Sequence, residues 1–504
     1  MNIKQAKGEI TNTLRAYLAR DELGNYRIPA IRQRPILLMG PPGVGKTQIM
    51  AQIAAETGVG LVSYTITHHT RQSAVGLPFI EHRTYAGREV AVTEYTMSEI
   101  LASVYGLMEK TGLKEGILFL DEINCVSETL APMMLQFLQC KTFGNQALPE
   151  GWVIVAAGNP PEYNKSVRDF DVVTLDRVKR IDVQADFAVW KEYADRRNLH
   201  GAIVSYLDIR KDNFYRIETT VDGLQFATAR GWEDLSELLL AYEKLGLPAG
   251  REVVGQYIQL PRIAMDFAAY LELYDKYRKS YRVDEILRGT WQAITVSQLR
   301  AAPFDERLSV MGLLLSRLSE AAGNVREQDA LTDALHGTLR VFREKLAAGA
   351  GAQATLSGLI RQRREALDRA REAGRLDRDV RDLSLREIVL LERYRAALSG
   401  TDAAGSGEAM EQVRAWFGEE TEKRRMLAKE TGAFFDCAFR FLEETFGESQ
   451  ELVIFVTEIT AGYNLSWYVE NFGCDAYFRH NRELLFDDTR HRIREEIAAA
   501  KAEE

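Results

Sequence analysis

Gly40-Pro41-Pro42-Gly43-Val44-Gly45-Lys46-Thr47 follows the apolar run Pro35-Ile36-Leu37-Leu38-Met39 and precedes Gln48-Ile49-Met50-Ala51-Gln52-Ile53-Ala54, which has helical spacing. Strand, glycine-rich turn and helix are the setting in which G-x-x-x-x-G-K-[ST] builds a phosphate cradle. The glycines let backbone N–H groups face phosphate oxygens, and the helix beginning at Gln48 adds the positive end of its dipole. Lys46 is expected on the β- and γ-phosphates, and the Thr47 hydroxyl on Mg²⁺. A glycine-rich connection without a ligand is the competing reading. Against it, all eight motif positions and both flanks match the phosphate-binding pattern.

Gly116-Ile117-Leu118-Phe119-Leu120-Asp121-Glu122-Ile123-Asn124 is the second such stretch. Its apolar run places Asp121 and Glu122 at the C-terminal end of a buried strand, where ligands bind in open α/β sheets. Asp121 is expected to hold Mg²⁺, directly or through water, and Glu122 to orient and deprotonate an attacking water. An Asp-Glu pair alone is common; about 75 residues after a complete phosphate loop, its meaning is sharper. In Val153-Ile154-Val155-Ala156-Ala157-Gly158-Asn159-Pro160, a third strand ends in an amide. Asn159 there can bridge a γ-phosphate and water, or can simply begin the turn before Pro160-Pro161.

Taken together, these stretches resemble an AAA+ ATPase, and within that group the MoxR-type and dynein-related branch. The resemblance is densest over 35–183, at Gly40–Thr47, Leu118–Asn124, Ala156–Pro161 and Leu175-Asp176-Arg177-Val178, where family members typically carry Phe in place of Val178. Outside about 30–245 it thins to a general helical character. It implies ATP and Mg²⁺ as ligands, with Gly40, Pro41, Pro42, Gly43, Val44, Gly45, Lys46, Thr47 and Gln48 on the nucleotide and Thr47 with Asp121 on the metal. It implies that Asn159 is a sensor-1 residue. Arg177 is then the arginine finger that reaches a neighbouring subunit's nucleotide, with Arg180 competing for that role. Arg230, in Thr228-Ala229-Arg230-Gly231-Trp232-Glu233, takes the sensor-2 position. The physical reason is shared: positive charge on the equatorial oxygens of the transferring phosphoryl group, worth on the order of 10³–10⁵ in rate for a finger in trans. For any one arginine, a surface ion pair is the plainer alternative. A finger on one subunit and a nucleotide on the next imply a closed ring of self-association. The family implies a hexamer.

The elements that must position these residues follow a simple order. Strand-like runs at 35–39, 61–66, 117–120, 152–156 and 180–183 alternate with helical spacing, which predicts an α/β fold with a five-stranded parallel sheet covered by helices on both faces. Residues 71–95 read as a β-hairpin turning at about 83–87, and 141–149 resembles a second hairpin before sensor 1. In such rings both tend to face the central opening or a bound partner. Beyond 184 the strand signal nearly vanishes. The expected organisation is an N-terminal helix (1–30), the α/β nucleotide-binding domain (31–183), a helical lid (184–248), a helical region (249–346), a charged helical segment (353–398) and a C-terminal helical domain (409–504). Residues 399–407 read as a flexible linker.

Composition narrows the function. The chain has 504 residues and a net charge of −9, which disfavours a body that binds nucleic acid mainly by charge. Arg361–Arg381 carries eight arginines against five acids, a mixture better read as a solvated helical face than as a nucleic-acid contact. No apolar run approaches the roughly 20 residues of a membrane span, and the N-terminus lacks the apolar core of a signal peptide. Cys125, Cys140, Cys437 and Cys474 form no zinc or disulfide spacing and read as mostly buried thiols in a reducing cytoplasm. His68-His69 is a poor metal pair, because adjacent side chains point apart. Asn164-Lys165-Ser166-Val167 lacks the Asp of a guanine-reading motif. The expected function is ATP-driven remodelling or maturation of a protein partner, a separate chain with a von Willebrand factor A domain. The alternative is a nucleic-acid-associated motor of the restriction or defence type.

Overall fold

The computed structural model describes residues 1–68, 72, 74, 76–163, 167, 170–220, 223–399 and 406–482. His69, Asn164-Lys165-Ser166, most of the 399–407 linker and the chain after 482 lie outside the described residues. The chain divides into two compact units, Met1–Val189 with Ser357–Val389, and Trp190–Leu356 with Leu390–Glu504.

The first unit contains the strands β1 (Ile36–Met39), β2 (Gly60–Thr65), β3 (Pro78–Tyr85), β4 (Arg88–Tyr95), β5 (Gly116–Asp121), β6 (Thr142–Phe143), β7 (Gln146–Ala147), β8 (Trp152–Gly158) and β9 (Lys179–Asp182). Five of them form one sheet in the order β2-β5-β8-β1-β9, with every pairing parallel. Side chains alternate between faces with period two, so each strand feeds two cores. Leu37, Leu118, Leu120, Ile154 and Ala156 face one layer, built with the helices Glu99–Thr111 and Ala131–Cys140. Leu38, Ile117, Phe119, Val155 and Ile181 face the other, built with Ile3–Leu18 and Gln48–Thr57. Burial on both faces is why the inner strands β1, β5 and β8 are apolar almost throughout, whereas the edge strands β2 and β9 carry polar residues. The N-terminal helix is thus part of this unit's core, through Ala6, Ile10 and Leu14.

Both expected hairpins are present. β3 and β4 turn at Ala86-Gly87, with φ of 49° and 80°, the pair of positive values that suits a tight hairpin turn. The β6–β7 hairpin is bonded to it, Asn145 Nδ2 donating to Glu94 Oε2 at 2.9 Å and Gln146 Nε2 to the Tyr95 carbonyl at 3.2 Å.

The edge strand β2 is covered by chain from far along the sequence. The Leu61 N–H donates to the Ala373 carbonyl at 2.9 Å, and Arg375 Nη1 to the Gly58 carbonyl at 3.0 Å. An edge with one partner would otherwise leave backbone groups open to pairing with other chains. Within this segment Arg361–Glu365, Arg371–Asp368 and Arg381–Asp382 pair along the surface, and Arg363 meets the buried Glu387.

Among the described residues the second unit is helical except for one hairpin, β10 (Arg216–Thr220) with β11 (Gly223–Ala227). That hairpin departs from the expectation of a purely helical lid: five-residue strands between strong helical signals produce too short an alternation to stand out. Phe304–Ala347 and Ser406–Phe446 are the longest helices, at 44 and 41 residues. Gln328 Nε2 donates to Glu420 Oε2 at 2.8 Å across them, and Arg424 pairs with Asp329. The C-terminal aromatics are core: Phe435 stacks on Tyr468 at 5.1 Å, and Phe439 meets Phe455 edge-on at 5.3 Å. Two cysteines, Cys437 and Cys474, are buried, but Cys125 is only partly covered and Cys140 is exposed, which corrects the expectation of mostly buried thiols.

A cavity of about 670 Å³ in this unit is bordered by Lys191, Asp195, Asp208 and Glu458. Lys191 Nζ donates to Asp208 Oδ2 at 2.7 Å and to Glu458 Oε2 at 2.6 Å, leaving Asp195 as an extra carboxylate beside them. Burial pushes Asp195 up to about 6 despite Lys191 nearby, and burial likewise raises Asp208. A carboxyl group raised in this way stays protonated in the folded chain while the unfolded chain ionises. Stability therefore falls as pH climbs from about 4 to about 6 and stays lowered above that. Asp195→Asn removes this penalty while keeping an acceptor for the Tyr463 N–H, which bonds Asp195 Oδ2 at 3.3 Å. The expected gain is about 1–3 kcal/mol above pH 7 and none below pH 4, read by denaturant unfolding across pH. Equal effects at both pH values would contradict the charge assignment.

Candidate functional site

The sheet brings the three motif stretches to one edge. β1, β8 and β5 are neighbours and parallel, so the loops that follow Met39, Gly158 and Asp121 all leave from the same side. Gly43 and Gly45 take φ of 75° and 92°, values that a side chain would strain, and Gln48–Thr57 begins directly after Thr47. The backbone therefore curls into a loop at a helix N-terminus, the geometry that presents N–H groups to an anion.

Lys46, only 7% exposed, is held from three sides. Its Nζ donates to the Gly40 carbonyl at 2.7 Å, the Pro41 carbonyl at 2.9 Å and Asn159 Oδ1 at 2.8 Å. Thr47 Oγ1 donates to Asp121 Oδ2 at 2.8 Å. A hydroxyl and a carboxylate at this separation are hard oxygen donors of the kind Mg²⁺ takes, one or two from protein and the rest from water and phosphate. Among the described residues no group of three or more His, Cys, Asp or Glu is arranged to hold a metal, so a resident all-protein cage is not present there.

Glu122 adopts φ of 57°, in the left-handed region, at a cost of about 1–2 kcal/mol for a residue with a side chain. Its N–H donates to Asp121 Oδ1 at 3.0 Å, and its Oε2 accepts from Thr67 Oγ1 at 2.8 Å. The next N–H, of Ile123, donates to the Ala157 carbonyl at 2.9 Å, and Asn124 Nδ2 to the Asn159 carbonyl at 2.7 Å. Lys46, Thr47, Asp121, Glu122 and Asn159 thus form one connected set.

Arg177 and Arg180, in the first unit, are bonded to other residues. Arg177 Nη1 donates to Gln139 Oε1 at 2.5 Å. Arg180, in β9, pairs with Asp182 on the same strand face at 2.8 Å. Arg230 is exposed at the start of the helix Ala229–Leu245, whose first turn is capped by Thr228, and it belongs to the second unit.

Thr67 and Asn124 are additions that sequence reasoning did not assign. Thr67 follows β2, and only the register Thr65↔Asp121 carries it to Glu122. Asn124 stands inside the second motif stretch, but its partner is 35 residues later.

Residues 36–175 match the model of the family described as "ATPase family associated with various cellular activities (AAA)". No curated protein matches the chain. Among solved structures, a mutant of RuvB from Thermotoga maritima is similar at 13% identity and a TM-score of 0.26, over 56% of this chain and 65% of that one. The match thus spans a little under two thirds of that relative's length, and a likeness this loose carries no argument about activity. The matched segment, 36–175, contains the phosphate loop and four of the five strands of the parallel sheet, β1, β2, β5 and β8.

Proposed function

We propose that the chain is a cytoplasmic MoxR-type AAA+ ATPase that hydrolyses ATP with Mg²⁺ in a ring-shaped oligomer and remodels or matures a protein partner. The observation that carries this reading is the connected set at the sheet edge, with Lys46 Nζ 2.8 Å from Asn159 Oδ1 and Thr47 Oγ1 2.8 Å from Asp121 Oδ2. In this proposal the loop 40–48 binds the triphosphate and Lys46 exchanges its carbonyl partners for β- and γ-phosphate oxygens. Thr47 and Asp121 would hold Mg²⁺, which when bound would supply positive charge against those oxygens. Glu122 accepts a proton from the water that attacks the γ-phosphorus, and Asn159 orients that water. Arg177, exposed and donating to the neutral amide of Gln139, is the finger offered to the next subunit in a hexameric ring; Arg180 is the second candidate, and Arg230 serves as sensor 2.

The β3–β4 hairpin supports a protein partner. It exposes Phe79, Tyr85 and Val90 on one face and Ile80 and Tyr95 on the other, apolar side chains suited to a polypeptide rather than to a phosphate backbone. The partner we favour is a separate chain with a von Willebrand factor A domain. No described helix is long and apolar enough to cross a membrane. A nucleic-acid motor is the second reading, and the net charge of −9 weighs against it.

Lys46→Ala is expected to weaken ATP binding at least about 100-fold by fluorescence titration, since the triphosphate loses its buried cation. Unchanged affinity would remove the phosphate-loop assignment. Glu122→Gln is expected to bind ATP normally and turn it over at least about 100-fold more slowly. Affinity capture with that variant in ATP then reads the partner: a von Willebrand-type chain supports maturation, whereas nucleic acid retained in high salt supports the rival. Arg177→Ala should shift melting by no more than a few degrees, because an exposed bond contributes at most about 1 kcal/mol, yet abolish turnover. Mixing it with Glu122→Gln subunits should restore part of the activity, and no recovery at any ratio would count against a finger in trans.

A further inference from the structure

We propose that Asn124 is a positioning residue for hydrolysis: its amide sets where the Asn159 side chain sits relative to Lys46 and Glu122. The inference rests on the ATPase reading above. The β5–β8 ladder ends at Leu120↔Ala156, short of both site residues. Beyond it, among the described residues, two straps join the strand ends, the Ile123 N–H on the Ala157 carbonyl and Asn124 Nδ2 on the Asn159 carbonyl. The second strap acts on the residue whose Oδ1 meets Lys46 at 2.8 Å.

Asn124 is 3% exposed, and its Oδ1 has no hydrogen-bond partner among the described residues. A buried, unpaired amide oxygen costs about 1–3 kcal/mol, and a leucine of similar volume would avoid that cost. The amide therefore earns its place through its other half, the N–H that pulls on Asn159. Neighbouring residues hold both ends of the strap. Asn159 precedes Pro160, which biases its backbone toward extended conformations, so fixing its carbonyl restrains where its Cα–Cβ bond points and leaves the Lys46 bond to select the rotamer. Gly158 lets the Asn124 amide approach: a Cβ there would lie 2.5 Å from Asn124 Oδ1. Glu122, at φ 57°, stands two residues before the strap and is kept in that strained turn by the same closure.

The experiment compares wild type, Asn124→Ala, Asn124→Leu, Asn159→Ala and Asn124→Ala/Asn159→Ala in the full chain. Steady-state ATP turnover, the Kd of a fluorescent ATP analogue and thermal melting are read for each. Asn124→Leu fills the space without a donor and guards against simple loss of folding. Both single substitutions at 124 are expected to lower kcat about 10–100-fold while Kd stays within about threefold. The double variant is expected to be no slower than Asn159→Ala alone, because nothing is left to position. Turnover restored by Leu, or losses that multiply in the double variant, would overturn the inference in favour of a packing role. Wild-type protein that binds and cleaves no ATP overturns the hydrolysis reading itself, and this inference with it.

Discussion

The hydrogen bond between Lys46 Nζ and Asn159 Oδ1 joins two strand ends that are 113 residues apart in the chain. It exists only because β1 and β8 lie side by side and parallel, so that both deliver their C-terminal loops to one edge. A buried ammonium needs partners on every side, and here two loop carbonyls and one amide oxygen provide them. Everything else at the site is arranged around that charge. The helix Gln48–Thr57 starts beside it, and Thr47 carries the network to Asp121.

The sheet is rigid where it needs to be and strained in one place. Both faces are packed, and the edge strand β2 is closed by backbone bonding to Ala373. Glu122 alone among the non-glycine site residues adopts a left-handed backbone, and it is bracketed by Thr67, Asp121 and the straps to β8. Strain of this kind persists only where surrounding contacts over-determine it. A glutamate so held has a defined resting position.

The second unit solves a different problem, how to bury long helices without a sheet. Aromatic stacking and cross-helix polar pairs supply the packing, and the Lys191 cluster places three carboxylates around one ammonium at the cavity wall. Such a cluster is poorly balanced in charge. The price is the raised proton affinity of Asp195.

Sequence alone determined the local chemistry: the eight-residue loop, the Asp121-Glu122 pair, Asn159 and the apolar strands that end in them were all legible. A phosphate cradle is built from contiguous backbone, and a doubly buried strand must be apolar at every position. Both hairpins in the first unit were legible for a similar reason, since alternation and a glycine turn are local signals. Tertiary structure alone decided which distant residues share a site. Thr67 meets Glu122 through strand register, and Asn124 meets Asn159 through strand adjacency. Ser357–Val389 returns to the edge of β2 although its composition reads only as a charged helical face. Those contacts depend on how separate elements pack, and packing is a property of pairs of segments that leaves no periodicity in either one.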